Sequence, residues 1–137
     1  MTTDQDSELT RAIVEQMADA AIYADVQGVI RIWNAAATAV FGFSATDAIG
    51  QSLDLIVPEN LRKAHWAGFD RSISTGVTRL GGHATITRAL HKSGKKIYVE
   101  MSFAVVRGPA RSAIGSVAIA RDATARYEEE KARRRPS

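Results

Sequence analysis

The chain has 137 residues, 45% hydrophobic and 24% charged, with a formal net charge of +3. That suffices for one domain around one core, with the composition of an ordinary globular protein. It contains no cysteine, which excludes disulfides, thiolate metal ligands, thiol nucleophiles and thiol-linked cofactors.

No apolar run approaches the roughly 20 residues of a membrane span. The polar, acidic start from Met1 to Glu8 is unlike a signal peptide. A cytoplasmic protein without a membrane partner is expected. Much of the positive charge lies in Lys131-Ala132-Arg133-Arg134-Arg135, directly after Glu128-Glu129-Glu130. A basic tail of this kind reads as a solvated helix end, so no nucleic-acid partner is expected.

In chain order, Leu9, Ile13, Gln16 and Met17 share one side of an amphipathic helix expected over Ser7–Ala20. Two short strands, Ala21–Asp25 and Val29–Trp33, follow around a turn that Asp25 and Gly28 can make. Asn34 suits the N-cap of an alanine-rich helix over Ala35–Phe41, and Gly42 and Gly50 punctuate short helices beyond it.

The segment from Val57 to Gly76 is the most informative. Pro58 stops what precedes it, and Asn60 is expected to cap a new helix. Leu61, His65, Phe69 and Ile73 recur every four residues and so share one face. Gly76 suits a left-handed C-cap. An imidazole on such a face needs a carbonyl, a water or a metal as partner, because an unpaired buried nitrogen is costly.

Three strands are expected next. Thr85–His91 ends in the turn Lys92-Ser93-Gly94-Lys95. The clearest period-two signal follows, with Ile97, Val99, Met101, Phe103 and Val105 alternating against Tyr98, Glu100 and Ser102. Ile114–Arg121 then leads into Asp122 and a charged helical tail. Short turns make these strands an antiparallel meander, and the helices must cover one face of the sheet. An α+β domain with a pocket between sheet and helices results. Residues 1–19 would be an amphipathic N-terminal helix, 20–122 the domain proper and 123–137 the tail.

Across Met17 to Arg126 the chain resembles a single PAS domain. The matching pieces are Ile30-Arg31-Ile32-Trp33-Asn34-Ala35-Ala36-Ala37, Phe41-Gly42-Phe43, Ile49-Gly50-Gln51-Ser52 and Ile56-Val57-Pro58-Glu59. Ser74-Thr75-Gly76, Lys92-Ser93-Gly94-Lys95 and Arg121-Asp122-Ala123-Thr124 complete the set. Each is weak alone, and their order and spacing carry the likeness. The resemblance implies a five-stranded antiparallel sheet in order 2-1-5-4-3 and a role in sensing or protein–protein signalling rather than catalysis. Fold alone does not fix the ligand.

The local likeness around His65 is to the heme-bearing helix of the oxygen-sensing PAS kinases of nitrogen-fixing bacteria. It implies heme b, with His65 as the proximal iron ligand and the other axial site open to a diatomic gas (O2, CO or NO). It further implies a distal wall of Met101, Phe103 and Ile119, with Arg71 and Arg79 reaching the heme propionates. Where those sensors carry a basic residue able to hydrogen-bond bound oxygen, this chain has Thr85, with Arg88 nearby. Carbon monoxide or nitric oxide is therefore the more natural ligand than oxygen. Trp66 beside His65 is a second departure, either shielding the pocket or packing on it.

Several alternatives stay open. His65 also fits a core histidine bonded to a carbonyl, and the pocket another small ligand or flavin held without an adduct. Met101 fits either a sixth iron ligand or ordinary strand packing. His83 and His91 read as exposed loop and hairpin residues, and the three histidines have no recognisable metal spacing. No nucleophile–base pair or phosphate-cradling loop stands out, so no enzyme activity is expected. The competing function is a cofactor-free interaction module, since the N-terminal amphipathic dimerisation helix with Leu9, Ile13 and Met17 resembles the segment through which many PAS domains form a homodimer. Either version would act on a separate effector protein.

Overall fold

The computed structural model describes residues 3–78 and 81–134. Helix α1 spans Thr3–Gln16, followed by β1 (Ala20–Asp25), β2 (Ile30–Trp33), α2 (Ala35–Phe41) and α3 (Ala45–Ala48). The long helix α4 (Arg62–Thr75) precedes β3 (Thr85–Leu90), β4 (Lys96–Arg107) and β5 (Ala113–Asp122), and α5 (Thr124–Arg134) closes the fold. The strands form one five-stranded sheet in the order β2-β1-β5-β4-β3, with every neighbouring pair antiparallel. Fold class and strand order are those expected.

Local chemistry explains most element ends. Asn34 Oδ1 accepts from the Ala37 amide at 3.0 Å and starts α2, while Gly42, at φ 86°, ends it in the left-handed region. Asp25 Oδ1 accepts from the amides of Gln27 and Val29 and makes the β1–β2 turn. Gly76, at φ 78°, stops α4 as expected.

Two helix boundaries differ from expectation. Helix α1 ends at Gln16 instead of reaching Ala20, because Ala20 already pairs with Ala120 of β5. Asn60 makes no cap. A 3-10 turn over Glu59–Leu61 intervenes, α4 begins at Arg62, and its N-cap, Leu61, makes no side-chain cap bond. Arg62 ties down the entry instead, donating from Nε to Val57 O at 3.1 Å and from Nη2 to Asp54 O at 3.2 Å.

The core lies between the inner sheet face and α2, α3 and the segment leading into α4. Ile22, Ile30, Trp33, Phe41 and Val99 are buried there. Asn34, the one buried polar residue of the described core, is 1% exposed. It accepts from the amides of Ala21 and Ala37 and donates to the carbonyls of Val14 and Asp19, so one side chain joins α1, β1 and α2.

The pleat of β4 sorts its residues to two faces. Ile97, Val99 and Met101 are buried on the inner face. Tyr98 and Glu100, on the other, meet α5: Tyr98 stacks on Tyr127 at 3.8 Å and Glu100 pairs with Arg126 at 3.0 Å. Thr124 Oγ1 accepts from the Tyr98 amide at 3.0 Å and donates to the Tyr98 carbonyl at 3.3 Å. The tail helix is thereby fastened to β4.

Candidate functional site

Helix α4 lies across the inner face and is anchored near its start. The Trp66 indole N–H donates to Asp54 Oδ1 at 2.8 Å. On the other side the same ring fills the place of a missing side chain, since a Cβ on Gly28 would fall 2.2 Å from Trp66 Cη2. Trp66 thus packs on the β1–β2 turn and does not line the pocket. Its anchoring fixes which way the adjacent His65 faces.

His65 packs edge-on against Trp66, with ring centroids 4.8 Å apart, and lies 6.2 Å from Phe69. Its Nδ1 is buried and has no hydrogen-bond partner among the described residues. Burial lowers its pKa from the ordinary value, opposed by the carboxylate of Asp54. The imidazole is therefore neutral near pH 7, with a lone pair available to an acceptor of electron density.

Beside it, between α4 and the sheet, lies a cavity of about 410 Å³, within the roughly 300–1,000 Å³ usual for ligand pockets. Ala64, Gly68 and Ser72 give the helix side of the wall small residues, and Ile22, Met101 and Phe103 form part of the sheet side. Gly68 is telling: it sits mid-helix at a conformational cost, yet a Cβ there would meet nothing within 4 Å. The wall is predominantly apolar, with hydroxyls of Thr85, Thr87 and Ser116 interspersed.

The family model described as PAS fold matches residues 8–123. The chain belongs to the PAS family. Its PAS domain is 29% identical over 92 residues to the sensor protein FixL of Bradyrhizobium diazoefficiens, covering 67% of this chain and 18% of that protein. It is 26% identical over 111 residues to the oxygen sensor protein DosP of Escherichia coli, covering 81% of this chain and 14% of that one. The chain therefore spans less than a fifth of the length of either relative. Among solved structures, the PAS domain of a Colwellia psychrerythraea protein superposes with a TM-score of 0.75 at 22% identity, covering 88% of this chain and 98% of that one. An RNA-binding light-oxygen-voltage receptor superposes at 0.73 and 21%, covering 96% of this chain and 37% of that one. These likenesses show the fold.

Within this PAS domain, His65, Thr85, Met101 and Phe103 all line the one cavity. Ile119 does not. On β5 the inward residues are Ser116 and Ala118, so the pleat turns Ile119 to the opposite face, in register with Ser102 and Ala21. Arg71 is exposed on α4 and is not part of the cavity wall, and Arg79 lies outside the described residues. Arg88 and His83 do reach the cavity. His83, expected to be merely exposed, is both exposed and part of its rim. His91 is structural: its Nδ1 accepts from the Ser93 amide at 3.1 Å in the hairpin, and its ring covers Gly42.

Sequence reasoning did not single out Ala64, Gly68 and Ser72. The available signal was their spacing, one position before, three after and seven after His65, which keeps them on its side of the helix.

Proposed function

We propose that this PAS domain is a heme-b-binding sensor that takes up a diatomic gas (O2, CO or NO) or reports redox state. The observation that carries this reading is the imidazole of His65, half-buried on the wall of a largely apolar cavity. A neutral imidazole is a good axial ligand for iron. Among the described residues no group of three or more His, Cys, Asp or Glu side chains is placed to hold a bare metal ion. A metal served by one imidazole must bring its own remaining donors, as heme does. The oxygen-sensor name borne by one relative agrees with this reading.

The residues fit the group. His65 would hold the iron, and the space over Gly68 leaves room for a flat ring beside α4. Met101, Phe103 and Thr85 would face the ligand side. Bound there, heme supplies a reversible gas-binding or one-electron centre. The chain's own contribution is to orient the imidazole through Trp66 and Asp54, keep the pocket largely apolar, and pass displacement of the sheet to the tail. Movement of β4 reaches α5 through Tyr98, Thr124 and the Glu100–Arg126 pair. From there a separate effector would read it. For this to signal, the two arrangements must differ in affinity for the gas.

A second reading rests on α1. Leu9 and Ile13 remain 60% and 57% exposed on its surface, an apolar stripe suited to pairing with a second copy in a cofactor-free homodimer.

The visible spectrum decides between them. Chain expressed with added heme precursor is expected to show a Soret band of near-stoichiometric intensity, weakened or shifted in His65→Ala. A colourless protein that also refuses added hemin would leave the cofactor-free homodimer as the function.

A further inference from the structure

We propose that the outer face of the sheet carries a second binding site, between α5 and the edge strand β3, for an organic phosphate of the nucleoside diphosphate class. The inference goes beyond the heme reading and does not depend on it. A cavity of about 480 Å³ opens there, again within the range usual for small-molecule sites. Two elements build its walls in a regular way. Ile86 and Arg88 alternate with the inward Thr85, Thr87 and Ala89 of β3, so the pleat turns them outward. Tyr127, Glu130, Lys131 and Arg134 recur at helical spacing and bring one face of α5 to the same cavity.

The positive charge in this cavity is uncommitted. Arg126 pairs with Glu100 and Arg133 with Glu129, so the cations of α5 that lie off the cavity have partners. Lys131 and Arg134, the two that line it, form no ion pair among the described residues, and neither does Arg88 of β3. Glu130 is the one carboxylate on the described wall. Three cations against one carboxylate favour a ligand with at least two negative charges. Two guanidinium groups favour oxyanions that accept paired hydrogen bonds, as phosphates do.

The rest of the wall suits a flat organic body. Leu61 and Ile86 are apolar, and the stacked rings of Tyr98 and Tyr127 add aromatic surface. A bare inorganic anion would leave that surface unused. The position of the cavity gives such a ligand a consequence. Helix α5 is fastened to β4 near its start, through Thr124, Arg126 and Tyr127. A phosphate shared by Arg88, Lys131 and Arg134 fastens its second half to β3 as well. Leu61, Thr87 and Arg88 also line the inner cavity, so the two sites share part of a wall. The tail thereby answers to two ligands, one on each face of the sheet.

The test titrates the full chain by calorimetry with ADP and, separately, with inorganic pyrophosphate. ADP is expected to bind one to one, and pyrophosphate more weakly because it lacks the organic body. Arg88→Gln and Arg134→Gln should each weaken ADP binding about ten-fold or more. Arg11→Gln makes the same charge change on the exposed surface of α1 and should leave binding unaltered. Bound ADP should also slow hydrogen exchange in the second half of α5. Absence of ADP binding, or binding that Arg88→Gln and Arg134→Gln leave unchanged, overturns the site. Equal affinity for ADP and pyrophosphate overturns the assignment to an organic phosphate. An RNA oligonucleotide that binds where ADP does not overturns it too, and would make this face a polyanion surface. None of these results alters the Soret band, so failure here is distinct from failure of the heme reading.

Discussion

The indole of Trp66 is held between two fixed points, a 2.8 Å hydrogen bond to Asp54 on one side and the bare backbone of Gly28 on the other. Residue 28 has φ 78°, so any side chain there is strained in addition to clashing with the ring. Gly28→Ala is expected to destabilise the domain by about 2–4 kcal/mol. Urea denaturation would measure it. In the Trp66→Phe background the same substitution should cost less, because the shorter ring relieves the clash and leaves only the backbone strain.

Gly68 is the opposite case. Its helical backbone accepts a side chain and a Cβ meets nothing within 4 Å. Gly68→Ala should stabilise the protein without cofactor by about 0.5–1 kcal/mol. Gly68→Leu, which fills the cavity, should abolish heme uptake while circular dichroism stays unchanged. Undiminished uptake by Gly68→Leu would mean that the ligand lies elsewhere.

His65 links stability to pH in the protein without cofactor. Burial lowers its folded-state pKa below the ordinary 6.5. Above that ordinary value both folded and unfolded chains carry neutral imidazole, and the contribution of His65 is fully present. As pH falls below it, the unfolded chain takes up a proton that the folded chain resists, so stability declines until the folded pKa is passed. Chemical denaturation of wild type and His65→Phe across this range should show a steeper decline in wild type. Parallel profiles would mean that the imidazole is not desolvated.

Asn34 concentrates four hydrogen bonds in one buried side chain. Asn34→Ala is expected to cost about 2–4 kcal/mol, because it leaves buried amides and carbonyls without partners. Asn34→Asp retains the two acceptor bonds but loses both donors, so its defect should concentrate at Val14 and Asp19. Hydrogen exchange would show α1 opening before the sheet.

Thr124→Ala removes both hydrogen bonds between that hydroxyl and the Tyr98 backbone. A loss of about 1 kcal/mol is expected, and exchange should quicken through α5 while β1 and β5 keep their protection. Uniform quickening would show that the tail is not a separate unit.

The sheet was legible in the sequence because its longest strand declares itself: Ile97 to Val105 alternate, and turn residues bracket the run. Asn34 and Gly42 marked α2 at both ends because a capping amide and a left-handed glycine have few other uses. The start of α4 was less legible. Asn60 had the right chemistry for a cap, but Pro58 began a 3-10 turn, and the long side chain of Arg62 met the carbonyls from outside the capping position. Around the cavity, helix spacing put His65 and Phe69 on one face, and strand parity put Met101 and Phe103 on another. The family resemblance joined His65, Met101, Phe103 and Ile119 in one pocket. Ile119 was wrongly included because the phase of β5 is set by its pairing with β1 and β4, which no local pattern of that strand reveals. The role of Trp66 depended on a glycine 38 positions earlier in the chain, a contact that only the folded backbone brings together.

The two faces of β4 place a limit on how this chain can change over time. Between Tyr98 and Phe103, a single inserted or deleted residue would turn the cavity wall outward and the tail fastening inward at once. Substitutions in that stretch can be absorbed one at a time, but changes in length cannot. The hairpins at 91–95 and 108–112 lie outside this restriction. In descendants of this sequence, length variation should accumulate in those turns and leave the span from Tyr98 to Phe103 at a fixed count.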